Sequence, residues 1–280
     1  MVSPLDIQPT GSPEGDLRDA DVGIAANFAR WLRFIGHEEG APVELQVIEA
    51  PANYGTRSRF AHAATLADAV RLLDIAEKWS APGVFAIINN VDPAVATRDT
   101  SGQWHDAKKG QSTTDHDIRS RAAVFIDIDA KRVRGTSATD EEVRQTADVG
   151  ARVYGKLLAL LGGEEPLGYG HSGNGRSVFI ALEHIPESPE LESTIKGILA
   201  ALGCMFLVPR VEIDPVVSDA KRLGPAWGTT KRKGAAGVAE RPHRRTVFVC
   251  SENVRRVSFD ELRELLRNLR AELTTDPRRR

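Results

Sequence analysis

Residues 122–129 read Ala-Ala-Val-Phe-Ile-Asp-Ile-Asp. A short run of β-branched and aromatic residues predicts a buried strand. Alternate residues of a strand share a face, so Asp127 and Asp129 leave a dry core at one spot. Two ionised carboxylates that close repel unless a cation lies between them. Hard divalent ions such as Mg²⁺ or Mn²⁺ are their natural partners. For the Asp-x-Asp pair alone, two solvated acids at a strand end serve equally well.

A buried strand of this kind needs a sheet and a core around it, and the composition supplies both. The chain has 280 residues, 41% hydrophobic and 27% charged, with 37 Lys+Arg against 39 Asp+Glu and a net charge of -2. That excludes a wholly disordered, collagen-like or coiled-coil chain. The balance of charge argues against a basic DNA-coating protein and leaves room for a local basic groove. No apolar run reaches the roughly 18–20 residues of a membrane span. The acidic N-terminus lacks the apolar core of a secretory signal. Cys204 and Cys250 lie in apolar sequence and are too few for a zinc knuckle. Read as buried thiols, they point to a reducing cytoplasm.

Residues 1–20, rich in Pro, Gly, Ser and Asp, read as a flexible lead-in. Phe28, Trp31, Leu32 and Ile35 recur at helical spacing before Gly36, a natural C-cap. Residues 44–50 predict a strand, Thr65 caps a helix to about Trp79, and residues 84–89 predict a buried strand. Residues 95–117 are polar and aperiodic, a long loop. Thr139 and Glu142 form a capping box for a helix to about Leu161. Residues 167–182 predict a hairpin around Asn174-Gly175. Ser188-Pro189 opens a helix, 210–214 and 246–250 predict strands, and Ser258 with Glu261 caps a terminal amphipathic helix. Strands and helices alternate irregularly, which predicts α+β or mixed α/β packing.

Three further stretches could carry chemistry. In His171-Ser172-Gly173-Asn174-Gly175-Arg176-Ser177 the glycines permit close backbone approach and an anion-binding cradle of N–H groups; a plain hairpin turn explains them too. Glu212-Ile213-Asp214 brings another acid to a strand end. A third carboxylate converging on the first two would complete a two-metal nucleotidyl-transfer site, whereas Asp214 by itself reads as a surface residue. Between Asp219 and Arg245 lie Lys221, Arg222, Lys231, Arg232, Lys233, Arg241, Arg244 and Arg245 against only Asp219 and Glu240. With Trp227 and several glycines interleaved, the segment suits phosphates and a stacked base, and equally a solvated loop. His243 within it is a phosphate contact or a surface histidine.

The order of these motifs resembles the archaeo-eukaryotic primase superfamily, in particular the primase-polymerase domains of plasmid, phage and mobile-element replication proteins. Hydrophobic-D-x-D is Phe125–Asp129, the S-G-N-G element is Ser172–Gly175, and the strand acid with its basic R…G-T…K-G element is Glu212–Asp214 with residues 222–234. Residues 84–94, 113–121, 130–142 and 240–245 also resemble the family's flanking text, so the likeness spans about residues 30–250. It implies an α+β fold, a catalytic core with an RRM-like antiparallel or mixed sheet and a smaller N-terminal αβ module. The implied division is a lead-in (1–20), a primase-polymerase domain (21–257, split near 95/96) and a C-terminal helix with a basic tail (258–280). Asp127, Asp129 and Asp214 would be catalytic and hold two Mg²⁺ or Mn²⁺ ions. Ser172, Gly173, Asn174, Gly175, Ser177, Arg222, Thr229 and Lys233 would bind the nucleotide. Lys231, Arg232, Arg241, His243 and Arg244 would track DNA. The partners implied are a single-stranded DNA template, nucleoside triphosphates and a helicase, the last in trans or on a missing C-terminal region since no Walker A pattern occurs; no membrane is implied.

Three positions depart from the family. Ser177 stands where it has a histidine, Pro225 where it has a basic residue and Asp219 where it has an asparagine. The first reading is therefore a metal-dependent primase-polymerase, for which Ser177→His should raise the rate, with His171 or Arg176 as candidate substitutes for the missing charge. The second is a replication-associated module that binds single strands or an origin with weakened synthesis. The third is a metal phosphoesterase using His171 or His243 as base.

Overall fold

The computed structural model describes residues 13–20, 23–38, 41–48, 58–106, 110–235 and 237–275. The first half contains helices α1 (Pro13–Asp19), α2 (Ile24–Ile35) and α3 (Leu66–Lys78). Its strands are β1 (Val43–Ile48), β2 (Ser58–Ala63), β3 (Val84–Ile87), β4 (Asn90–Val91), β5 (His105–Asp106) and β6 (Ile118–Ala130). The second half adds helices α4 (Asp140–Leu161), α5 (Pro189–Met205) and α6 (Phe259–Thr275). Its strands are β7 (Leu167–His171), β8 (Gly175–Pro186), β9 (Val211–Ile213), β10 (Leu223–Pro225), β11 (Thr230–Lys231), β12 (Arg244–Arg245) and β13 (Val247–Cys250).

Two sheets form the frame. One runs β10-β3-β1-β2-β5; the other runs β13-β7-β8-β6-β4, with β9 also on β6. Pairing within both is antiparallel throughout. The α+β class is the one expected. Strand β10, from the basic segment, completes the N-terminal sheet by pairing with β3. The two halves are thus joined by backbone hydrogen bonds.

Local chemistry explains the helix ends. Gly36 closes α2 at φ 63°, where an L side chain is strained. The Thr65 and Ser188 hydroxyls accept the amides of Asp68 and Leu191. Thr139 and Glu142 make the predicted capping box, and Ser258 with Glu261 makes the other.

Between α2 and the second sheet lies an aromatic core. The rings of Trp31 and Phe179 meet edge-on at 4.9 Å, and Trp31 meets Phe248 at 5.2 Å. Trp227 joins this cluster fully buried, 5.3 Å from Phe248. It is therefore core and not the exposed stacking surface that its basic surroundings suggested.

The opposite face of the same sheet packs on α4, and there the lead-in expectation meets a correction. Residues 13–19 are helical. The Glu14 carboxylate accepts from Arg176 Nε at 2.6 Å, Arg176 Nη2 at 2.7 Å and Tyr169 Oη at 2.5 Å. This long-range ionic contact, with Leu17 buried in the main core, anchors the segment. Residues 1–12 of that lead-in and the tail from 276 lie outside the described residues.

The thiols also differ from expectation. Cys204 is exposed and Cys250 half-buried, so they carry no argument about redox compartment. Among the described residues no helix is long and apolar enough to cross a membrane.

Candidate active site

Strand β6 enters the core as a continuous apolar run and emerges with Asp127 and Asp129 on one face. Its neighbours set their company. Asp127 pairs with Ser177 and Asp129 with Gly175 on β8, while Asp129 also faces Glu212 on β9. Asp214 follows β9 directly, and its amide donates to the Asp127 carbonyl at 3.0 Å. Three acids separated by up to 87 positions therefore line one cavity of about 170 Å³. The same acids border an open groove of about 480 Å³, walled by residues 130–136 and Glu212.

Lys231, Lys233, Arg222 and Arg132 line the same cavity as the acids, and Phe85, Phe125 and Pro225 supply apolar wall. The Lys231 ammonium sits 3.4 Å from the centre of the Phe85 ring. Burial, and then Lys233, pushes the Lys231 amine down to about 7. Burial, reinforced by Asp129 and Asp214, pushes the Asp127 carboxyl up to about 8.

Three hard oxygen donors at one cavity suit Mg²⁺ or Mn²⁺. The upward shift at Asp127 registers the repulsion that a cation would relieve. The side chains are not drawn into a closed cage, however. No group of three or more His, Cys, Asp or Glu among the described residues is arranged to hold a metal as it stands. Asp214 Oδ1 instead accepts the Val216 amide at 2.8 Å, and Asp129 Oδ2 lies 3.4 Å from Arg132 Nη2. A cation would recruit these carboxylates by turning them.

The Ser172–Gly175 loop is built differently from a phosphate cradle. The Gly173 amide donates to His171 Nδ1 at 2.8 Å, and the Gly175 amide donates to Ser172 Oγ at 3.1 Å. Both N–H groups are thus consumed inside the hairpin. The glycines are needed for space. A Cβ on Gly175 would lie 2.3 Å from the Ile128 carbonyl, and one on Gly173 would lie 2.5 Å from Lys231 Cβ. Ser172 and Asn174 still line the cavity. Asn174 Oδ1 holds the Ala138 amide, and its Nδ2 is a buried donor without a partner.

Several expected ligands lie elsewhere. Ser177 pairs with Asp127 across β6 and β8 but is fully buried and not part of the cavity lining, and its hydroxyl has no partner among the described residues. Thr229 is buried and donates to the Ala226 carbonyl. Neither candidate for replacing the missing histidine supplies charge to the cavity. Arg176 is on the other face with Glu14. His171 accepts from Gly173, and burial, with Arg176 and Arg244 beside it, pushes its ring down to about 3. Of the DNA-tracking set, Lys231 faces the cavity, but Arg232 pairs with Glu77, Arg241 with Glu142 and Arg244 with Asp140. His243 is half-buried and does not reach the cavity wall. Sequence reasoning passed over Arg132, whose position three residues after Asp129 was the available signal.

No protein-family model and no curated protein matches the sequence. Its three-dimensional structure does find neighbours. The archaeo-eukaryotic primase (AEP) domain of the cyanophage S-2L primase-polymerase superposes with a TM-score of 0.50 at 9% identity, covering 86% of this chain and 96% of that one. This chain has the archaeo-eukaryotic primase fold. The polymerase domain of Mycobacterium tuberculosis Ligase D, solved in complex with DNA, aligns at a TM-score of 0.41 and 16% identity over 95% of each chain. In this primase fold the β6 acids, the β7–β8 hairpin and the segment from Asp214 to Lys233 meet around one cavity.

Proposed function

We propose that the chain is a metal-dependent nucleotidyltransferase, a DNA primase-polymerase acting on a single-stranded template. The observation that carries this reading is the cavity itself, lined by Asp127, Asp129 and Asp214 together with Lys231, Lys233 and Arg222. In the reaction a primer 3′-oxygen bonds to the α-phosphorus of a nucleoside triphosphate. The bond from that phosphorus to the bridging oxygen breaks, pyrophosphate departs and the hydroxyl proton passes to water. Asp127, Asp129 and Asp214 are the residues to hold Mg²⁺ or Mn²⁺. Held by those carboxylates, such ions would supply Lewis acidity toward the 3′-hydroxyl and positive charge toward the phosphates.

The chain's own groups do the rest. Lys231, Lys233, Arg222 and Arg132 place positive charge beside the phosphates, and the free Asn174 Nδ2 adds a neutral donor. Phe85, Phe125 and Pro225 exclude water on the side where base and sugar would lie. The role we assign is in replication of a plasmid, phage or mobile element in the cytoplasm, with any helicase supplied separately or by a longer chain.

A second reading has specific support. Ser177 is out of reach, Pro225 is uncharged, and Asp219 Oδ1 accepts from Arg222 Nε at 2.8 Å. Reduced synthesis with retained single-strand or origin binding follows from those three positions. Mn²⁺-dependent primer extension by the wild type and Asp127→Ala decides between them. Incorporation lost in the variant supports the polymerase. Salt-dependent single-strand binding without incorporation in either protein supports the binding module. Neither histidine named as base for the phosphoesterase reading, His171 or His243, lines the cavity.

A further inference from the structure

The segment from Asp214 to Arg222 forms one wall of the cavity. Asp214, Val217 and Arg222 all line it. The back of this segment is held in an unusual way. Four consecutive residues each give a backbone polar group to a side chain from elsewhere. The Ser218 carbonyl accepts from Arg121 Nη2 and the Asp219 carbonyl from Arg121 Nη1, both at 2.7 Å. The Ala220 carbonyl accepts from Asn89 Nδ2 at 2.8 Å. The Lys221 amide donates to Asp115 Oδ1 at 2.8 Å.

Two of these three side chains are themselves fixed. Arg121 is 2% exposed and its guanidinium also pairs with Glu187. Asn89 is buried, and its Oδ1 accepts the Ala122 amide of β6 at 3.0 Å. One amide group thus joins the loop to the strand that bears Asp127. The Ala220 methyl packs into a small separate core with Ile87, Val91, Val95 and Ile118. Asn89, Asp115 and Arg121 all precede the acidic motif in sequence, and none of the three lines the cavity.

We infer that Arg121, Asn89 and Asp115 are positioning residues: together they clamp the 218–221 backbone so that Asp214 and Arg222 face the cavity at fixed places. A side chain that satisfies two carbonyls with a planar fork allows little sliding. Release of the clamp lets the far wall of the site move relative to β6. A displacement of this kind weakens a site far more than it weakens the fold. The inference rests on the proposed nucleotidyl transfer for its consequence in catalysis, but not for its consequence in loop order.

The test uses the full chain and two variants. Asp115 is exposed, so Asp115→Ala removes one clamp without opening the core; Asn89→Asp keeps the acceptor for Ala122 and removes the donor to Ala220. Amide hydrogen exchange is read across residues 214–222, and Mn²⁺ binding is read by calorimetry. In Asp115→Ala exchange of these amides should quicken and Mn²⁺ affinity should fall about fivefold, the equivalent of one lost hydrogen bond. The melting temperature should stay within about 2 °C. In primer extension the half-saturating Mn²⁺ concentration should rise by the same factor. Unchanged exchange and unchanged Mn²⁺ affinity in Asp115→Ala would overturn the clamp. If Asn89→Asp folds, the same pair of results in it would do so independently. A wild type that incorporates no nucleotide would instead overturn the proposed function, and exchange alone would then decide the clamp.

Discussion

The amide of Asp214 donates to the carbonyl of Asp127 across 3.0 Å. This backbone bond extends the pairing of β9 with β6 by one step. It brings the backbone of the third acid beside that of the first.

Three carboxylates around one cavity cost stability when no cation is present. Asp127→Asn removes one charge from the set and keeps the shape. The metal-free variant should melt about 2–4 °C higher than wild type, the shift expected for roughly 1 kcal/mol in a chain of this size. Its nucleotide incorporation should fall by a factor on the order of a thousand. Calorimetric melting in a chelator checks the first outcome and primer extension the second. An unchanged or lower melting temperature contradicts the repulsion.

Ser177 lies buried between Asp127 on β6 and Gly170 on β7. A Cβ on Gly170 would already meet the Trp227 ring at 2.3 Å. An imidazole at 177 has no space to fill. Ser177→His should therefore lower stability by about 1–3 kcal/mol and leave incorporation no faster. That reverses the gain of rate that the family pattern suggests. Urea unfolding and primer extension on the same preparation decide the point.

Gly173 adopts φ +90°, and its missing Cβ makes room for Lys231. Gly173→Ala strains the turn and displaces the lysine stem. The KM for the incoming nucleotide should rise on the order of tenfold, with single-strand binding reduced much less. Steady-state kinetics with varied nucleotide checks this. Equal loss in both measurements points to unfolding and contradicts the local account.

His171 gives the fold a pH dependence of definite sign. Its ring lies far below the ordinary value of 6.5, at about 3, so the native ring is neutral and accepts from Gly173. Between those pH values the unfolded chain binds the extra proton. The stability this contributes is complete above about 6.5 and is lost as pH falls toward 3. The urea midpoint should drop between pH 7 and pH 5, and His171→Gln should flatten that slope. Parallel curves for the two proteins contradict it.

Much of the catalytic face was legible in the chain. The apolar run ending at Asp127 and Asp129 could only be a buried strand. The caps at Thr65, Thr139, Ser188 and Ser258 marked their helices because capping is local chemistry. Contacts across the chain were not legible. Glu14 holds Arg176 from 162 positions away, and nothing near Glu14 announces it. The ion pairs of the basic segment were hidden for the same reason: Arg232, Arg241 and Arg244 meet Glu77, Glu142 and Asp140 from distant parts of the chain. Strand β2 went unread because Arg59 and His62 interrupt the apolar content of Ser58–Ala63. The buried His62 is balanced by Glu44, 3.0 Å away.

Primer extension on a single-stranded template with Mn²⁺, run side by side for wild type and Asp127→Ala, tests the central claim most directly. The account predicts templated incorporation with pyrophosphate release by the wild type and none by the variant, with both proteins folded. Incorporation that survives Asp127→Ala, or its absence from a folded, Mn²⁺-supplied wild type, would contradict it.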